Sequence, residues 1–339
     1  MYVLLALLLL GMLIMAHEAG HYLAARACGI EVQEFAMGMG PCLLKWKNKN
    51  GTQFSLRVFP IGGFCQFYGE DEDLSDPRAF NNQKVSKRFL TVLSGPAMNF
   101  IVAFLVIVLY LSAIGLFDTV PKVYAVEENA AVAGLMVGDE IKRVNGKAIK
   151  ETNDIIAEIS ASEGKSVTLD VKRNSGEQEI VITPFYDEQA QRYRVGFTFD
   201  QERVRLPLAI SVPFSASYNL KNATLIVDTL KDLITTGEGA DEVTGPVGTV
   251  YVIREETKKG GLDVYMQLLS VISMNLGLIN LLPLPGLDGS RILFLAYEGI
   301  RRKPVKREIE GAIHMAGLAL LMGLMVVLTY RDIVQIFVR

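Results

Sequence analysis

The sequence predicts a polytopic α-helical membrane protein: four transmembrane helices with a separate β-rich module between the second and third. Three observations carry this. Half of the 339 residues are hydrophobic, and mean hydropathy is +0.29. Four stretches run with little or no charge for the roughly 20 residues that a bilayer span needs. The long segment between the middle two instead alternates like strands and is broken by Gly and Asn-Gly turns.

The first helix takes residues 1–27. Tyr2–Ala16 is apolar, and the helix continues through His17–His21 to about Ala27. No basic residue precedes it, and His17–His21 stands where a signal-peptide cleavage site would belong, so it reads as a retained helix. The second span, 89–117, has no charged residue. The third, 263–290, is uncharged from Val264 to Leu287, with Gln267, Asn275 and Asn280 as punctuation. The fourth, 311–330, carries His314, which reads as a polar contact between helices. Residues 201–262 read as an interfacial segment. Leu206–Leu220 contains Pro207 and Pro213, and Leu225, Ile226, Leu230, Leu233 and Ile234 then oppose Asp228, Lys231 and Asp232.

Lys and Arg set the orientation. The loop over 28–88 and its flanks, Arg26 to Arg88, holds nine of them, and Gly286–Arg307, around the 291–310 loop, holds six. The positive-inside rule puts both loops in the cytoplasm, and both termini and the β-rich module outside. Net charge is −3, and no basic stripe with interleaved aromatics appears, so nucleic acid is excluded as a partner. Cys28, Cys42 and Cys65 form no CxxC and read as free thiols.

The first helix carries His17-Glu18-Ala19-Gly20-His21, an HExxH motif. Four residues make about one helical turn, so both imidazoles leave the same face. They can grip one zinc ion, whose bound water loses a proton near neutral pH, with Glu18 beside it as general base. Ionisable groups inside an apolar span cost about 2.5–3.5 kcal/mol each, which argues for a function. The plainer reading is a short first span with Glu18 and His21 at its interface.

A catalytic zinc needs a third protein ligand and one open position. Asp288, in Asn280-Leu-Leu-Pro-Leu-Pro-Gly-Leu-Asp288, is the candidate. First and third spans both run inward, so the histidines and Asp288 share a leaflet. Pro283, Pro285 and Gly286 break the helix just before it. A capping role for Asp288 at a following helix is compatible with this.

HEAGH in the first span together with NLLPLPGLDG in the third resembles the bacterial site-2 protease family, of the RseP/RasP type. Glu34–Pro41 is similar to its EFxxGxGP segment, Phe54–Phe64 to its short membrane-associated β-sheet, Ser94–Asn99 to its GPxxN motif, and Thr244–Gly248 to a motif before the third span. The resemblance implies zinc ligands His17, His21 and Asp288 with Glu18 as base. It implies that Asn280 holds an extended substrate, with Pro283, Pro285, Gly38 and Gly40 also in the substrate region. The methionine of Gly38-Met39-Gly40 departs from the aromatic common in the family.

Residues 120–200 are similar to a PDZ domain, most specifically in AGLMVGDEIKRVNG, which contains Gly134, Leu135, Gly138 and Asp139. Strands are expected at Val123–Val126, Glu140–Gly146, Ser166–Arg173 and Gln178–Thr183, with a turn over Asn174–Glu177 and a helix over Asn153–Ser162. Such a module suits a peptide or chain terminus. The whole then reads as a multi-pass zinc endopeptidase of the bacterial cytoplasmic membrane, in contact with lipid. Its expected substrates are single-span membrane proteins such as anti-sigma factors or remnant signal peptides. The alternative is a catalytically silent PDZ adaptor, which would be expected to have lost a ligand or the glutamate.

Overall fold

The computed structural model describes residues 1–70, 74–173, 176–188, 190–240 and 243–337. It divides into two compact units, residues 1–110 with 207–339, and residues 111–206. In chain order the elements are α1 (Tyr2–Cys28), β1 (Val32–Lys47), β2 (Gln53–Phe67) and α2 (Val85–Leu109). Then come β3 (Leu116–Val126), α3 (Glu128–Val132), β4 (Glu140–Val144), β5 (Lys147–Ala148), α4 (Thr152–Ala161), β6 (Val167–Arg173) and β7 (Gly176–Ile182). β8 (Phe185–Asp187), β9 (Arg192–Arg194), β10 (Phe197–Val204), α5 (Leu208–Thr235), α6 (Pro246–Asn280), α7 (Asp288–Arg301) and α8 (Arg307–Phe337) complete the chain.

The first unit is a helical bundle with one sheet. α1, α2, α6 and α8 supply four candidate membrane spans, by length and composition. α1 and α2 pack at Gly20, where a Cβ would overlap the Ser94 carbonyl, and Ser94 Oγ donates to the Gly20 carbonyl at 2.9 Å. α6 packs on α2 through small polar residues. Ser273 Oγ donates to Asn99 O at 2.8 Å and Ser270 Oγ to Ala103 O at 3.0 Å. Such contacts suit helices in lipid, where apolar burial gives no preference for helix over acyl chain.

Several expected boundaries move. The second span starts at Val85 and passes into a π-turn over Tyr110–Ile114, and Leu116 and Phe117 already belong to β3. The third does not cover 263–290. α6 begins at Pro246, breaks at Gly261 (φ 60°, ψ −143°) and ends at Asn280. The prolines and Gly286 (φ 93°) then turn the chain, and Asp288 opens a separate helix, α7, in place of most of the loop expected over 291–310. The segment expected at the interface, 201–262, holds the end of β10, α5 and the start of α6. The first half of α5 is packed rather than laid flat: Ser211, Ser215 and Asn219 are buried, and Ser215 Oγ donates to Phe104 O at 2.8 Å. The Thr244–Gly248 motif is a helix start held from a distance. Buried Asp332 of α8 accepts the Gly245 and Gly248 N–H groups at 3.1 and 2.7 Å.

β1 and β2 form one folded sheet. Residues 34–37 lie between 63–66 (Glu34 opposite Gln66, Met37 opposite Gly63) and 53–56, and residues 44–47 pair with 53–56 in turn. Segment 63–67 is thus at the rim, with no further strand paired to it among the described residues.

The second unit is a six-stranded sheet of order β10-β3-β4-β6-β7, with β5 on β4 and a separate β8–β9 hairpin. Leu135, Ile141, Ile155, Leu169 and Ile180 are among its core. The expected strands and helix are present here. Of the expected turn over 174–177, residues 174 and 175 lie outside the described residues.

Candidate metal centre

Three side chains from distant parts of the first unit converge. His17 and His21 stand one turn apart on α1, with Nε2 atoms 3.2 Å from each other. Asp288 Oδ2 lies 3.0 Å from the first and 3.3 Å from the second. A tetrahedral ion about 2.0–2.1 Å from each ligand atom sets those atoms roughly 3.3 Å apart, so the triangle fits zinc. Asp288 Oδ2 is buried without a hydrogen-bond partner. Neutral imidazoles would point lone pairs at a carboxylate oxygen, a repulsion that a shared cation removes.

The space for an ion is built in. Gly95 of α2 lies under both rings: a Cβ there would overlap His21 Nε2 and stand 2.9 Å from His17 Nε2. The far nitrogens are occupied. His21 Nδ1 is 2.9 Å from the Thr91 carbonyl, which can only accept, so that nitrogen carries the proton and Nε2 is free to ligate. His17 Nδ1 is 3.1 Å from the Asn99 amide. The atom facing it is Nδ2, while the buried Oδ1 has no partner among the described residues; a metal on Nε2 makes Nδ1 the donor, and a turn of the Asn99 amide then brings Oδ1 to accept from it.

Glu18 faces the same cavity of about 420 Å³, whose walls include Met39, Gly62, Gly63, Cys65, Asn280 and Leu287. Glu18 packs beside the rim strand, where a Cβ on Gly63 would stand 3.5 Å from its side chain. Of the residues singled out in the sequence, His17, Glu18, His21, Asp288 and Asn280 therefore meet here. Pro283 and Pro285 are not in the wall. Pro285 packs on α8, where a Cβ on Gly317 would overlap it. Gly38 and Gly40 do not line it either. Both have φ 87° and press on Phe59, Gly38 against its carbonyl and Gly40 against its ring, so they serve the bend of β1. His314 accepts the Gly286 N–H at 3.3 Å and packs on Phe294, a contact between α8 and the α6–α7 region. The three cysteines are free.

Gly95 and Asn99 belong to the GPxxN motif seen in the sequence, where neither has an assigned role; Cys65 is named there only as a free thiol, and Thr91 is not named. Gly95 and Asn99 sit one turn apart in Gly95-Pro-Ala-Met-Asn99, and a Gly-Pro pair inside an apolar span was the available signal.

The sequence profile of peptidase family M50 matches residues 5–324. The chain belongs to peptidase family M50. A relative from Clostridium perfringens, provisionally named a zinc metalloprotease, is 33% identical over 98% of this chain and 99% of its own. Zinc metalloprotease RasP of Shouchella clausii is 31% identical over 96% and 97%. Regulator of sigma-W protease RasP of Bacillus subtilis is 27% identical over 98% of each. This M50 peptidase is accordingly a zinc metalloprotease and an integral membrane protein. Two solved PDZ domains of SdrC-like proteins also match. That from Listeria monocytogenes is 21% identical, covers 24% of this chain and 88% of its own, and has TM-score 0.22. That from Listeria innocua is 24% identical, covers 25% and 98%, and has TM-score 0.23.

In the second unit, the four residues singled out hold a turn. Buried Asp139 accepts Arg173 Nε and Nη2 at 2.6 Å each and the Met136 N–H at 2.9 Å. Arg173 also donates to Gly134 O at 3.1 Å, and Leu135 is core. Of the four, Gly138 lines a polar cavity with Lys122 and Glu140. A second cavity, about 260 Å³, lies between α4 (Ile156, Ile159) and the β9–β10 region (Tyr193, Val195, Phe197, Phe199).

Proposed function

We propose that this M50 peptidase cuts single-span membrane proteins within the bilayer, with anti-sigma factors and remnant signal peptides as substrate classes. The observation that carries the reading is one cavity holding a three-ligand set, an adjacent carboxylate and an open strand edge. A substrate span satisfies its own backbone as a helix. Once unwound, it needs new hydrogen-bond partners where water is scarce. Rim segment 63–67 offers them by strand addition, and Asn280 holds the substrate backbone from the opposite wall. The name of the Bacillus subtilis relative, regulator of sigma-W protease, supports a substrate linked to a sigma factor.

When bound, zinc supplies Lewis-acid polarisation of the scissile carbonyl and acidifies water. His17, His21 and Asp288 hold it, and Thr91 and Asn99 fix the two rings. Glu18, beside the rim strand, takes the proton of the attacking water and passes it to the leaving amine. The basic loops put this site toward the cytoplasm, with both termini and the 111–206 unit outside. We assign that unit as a PDZ domain whose peptide or chain terminus pairs with the free edge of β10, in the cavity beside α4.

The test is cleavage of a tagged single-span substrate in membranes, wild type against Glu18→Gln. Loss of at least about 100-fold, the low end for general acid–base groups, is the expected result. Equal cleavage by the variant would remove Glu18 as the base. A wild type that cuts no substrate in a panel would favour the silent adaptor.

A further inference from the structure

α7 carries more than a metal ligand. Asp288, Arg291, Leu295 and Glu298 fall at i, i+3, i+7 and i+10, along one face. Arg291 is ion-paired with Glu70, just beyond β2, and Glu298 with Arg88 of α2 at 2.5 Å. Glu70 uses both oxygens. Oε1 meets Arg291, while Oε2 accepts the N–H of Phe67, the last residue of the rim strand, at 3.3 Å. Its backbone is held in turn: Asn81 Nδ2 donates to the Glu70 carbonyl at 2.7 Å. Arg291 also stands in the wall of both the metal cavity and a second cavity of about 380 Å³ beside α8.

The need for such a tie is physical. Asp288 is the first residue of α7 and follows a turn through two prolines, so α6 does not by itself fix where the carboxylate points. We propose that Glu70 and Arg291 are positioning residues that couple the rim strand to the third zinc ligand. A substrate strand seated on 63–67 holds Phe67 and Glu70 in place, Glu70 holds Arg291, and Arg291 sets the Asp288 carboxylate one turn before it. This rests on the strand-addition reading above.

The experiment uses the full-length enzyme, with Glu70→Gln, Arg291→Gln and the double variant compared with wild type. Glu70→Gln keeps size and shape and so guards against misfolding. Two readouts are taken: zinc retention against a chelator, and kcat and KM on the single-span substrate. Groups that orient metal ligands typically cost about 10–100-fold in metal affinity or activity when removed. Each single variant is expected to lose roughly 10-fold or more in zinc affinity and in kcat, with KM within about twofold. The double variant is expected to be no worse than the worse single, as for two ends of one link. Unchanged zinc affinity in both singles, or losses that multiply in the double, would overturn the coupling. The zinc readout needs no substrate. A wild type that binds zinc but cuts nothing would therefore strike the protease reading and leave the coupling to be decided by the chelator titration.

Discussion

Gly95 shows how little room there is beside the two imidazoles of His17 and His21. A methyl group there would overlap His21 Nε2 and stand 2.9 Å from His17 Nε2, and α2 already meets α1 at Gly20 with no room for a Cβ. Gly95→Ala is expected to lose zinc by at least about 10-fold in affinity while the protein stays folded, read by metal content after purification. Glu18→Gln should differ: zinc is kept and cleavage is lost. His17, Glu18 and His21 were legible as an HExxH motif in an apolar span, where the i, i+4 spacing puts both imidazoles on one face with Glu18 beside them. Asp288 was legible as a lone carboxylate next to helix-breaking prolines. Gly95 and Asn99 were legible as a motif but without a role, and Thr91 not at all, since their role exists only once α2 lies against α1. The same holds for Asp139, whose carboxylate turns inward to Arg173, 34 residues away in sequence.

At the scale of elements, helix ends decided most of the departures from expectation. α6 starts well before the uncharged stretch, because its charged first part is carried over the Gly261 break and its N-terminus is capped by Asp332. No periodicity reveals a cap supplied 84 residues downstream. Asp332→Ala leaves the Gly245 and Gly248 N–H groups buried without that acceptor and is expected to cost about 1–3 kcal/mol, read as a lowered unfolding temperature in detergent. Zinc affinity should change little, since Asp332 is not in the metal cavity. α5 was misread for a related reason. Its first half carries polar Ser215 and Asn219, whose bonds to α2 and α6 appear only once those helices are in place.

The molecule as a whole has two units with separate cores. Damage to one core should therefore stay local. Leu169→Ala, at a fully buried position in the β-rich unit, is expected to destabilise that unit by about 2–5 kcal/mol. Zinc content should stay at the wild-type level, checked by metal analysis beside protease susceptibility of residues 111–206. Loss of zinc in this variant would show that the two cores depend on each other.

The sequence by itself determined the membrane class, the metal chemistry and the division into a helical unit and a β-rich unit. Each is written in local pattern: uncharged runs of span length, a four-residue histidine spacing, alternation broken by turns. Tertiary structure decided which rim strand borders the cavity shared by His17, His21 and Asp288, which prolines lie outside its wall, and which glycine stands under both imidazoles. Those are facts of packing between segments far apart in sequence, where the identity of a residue is informative only after its neighbour is known.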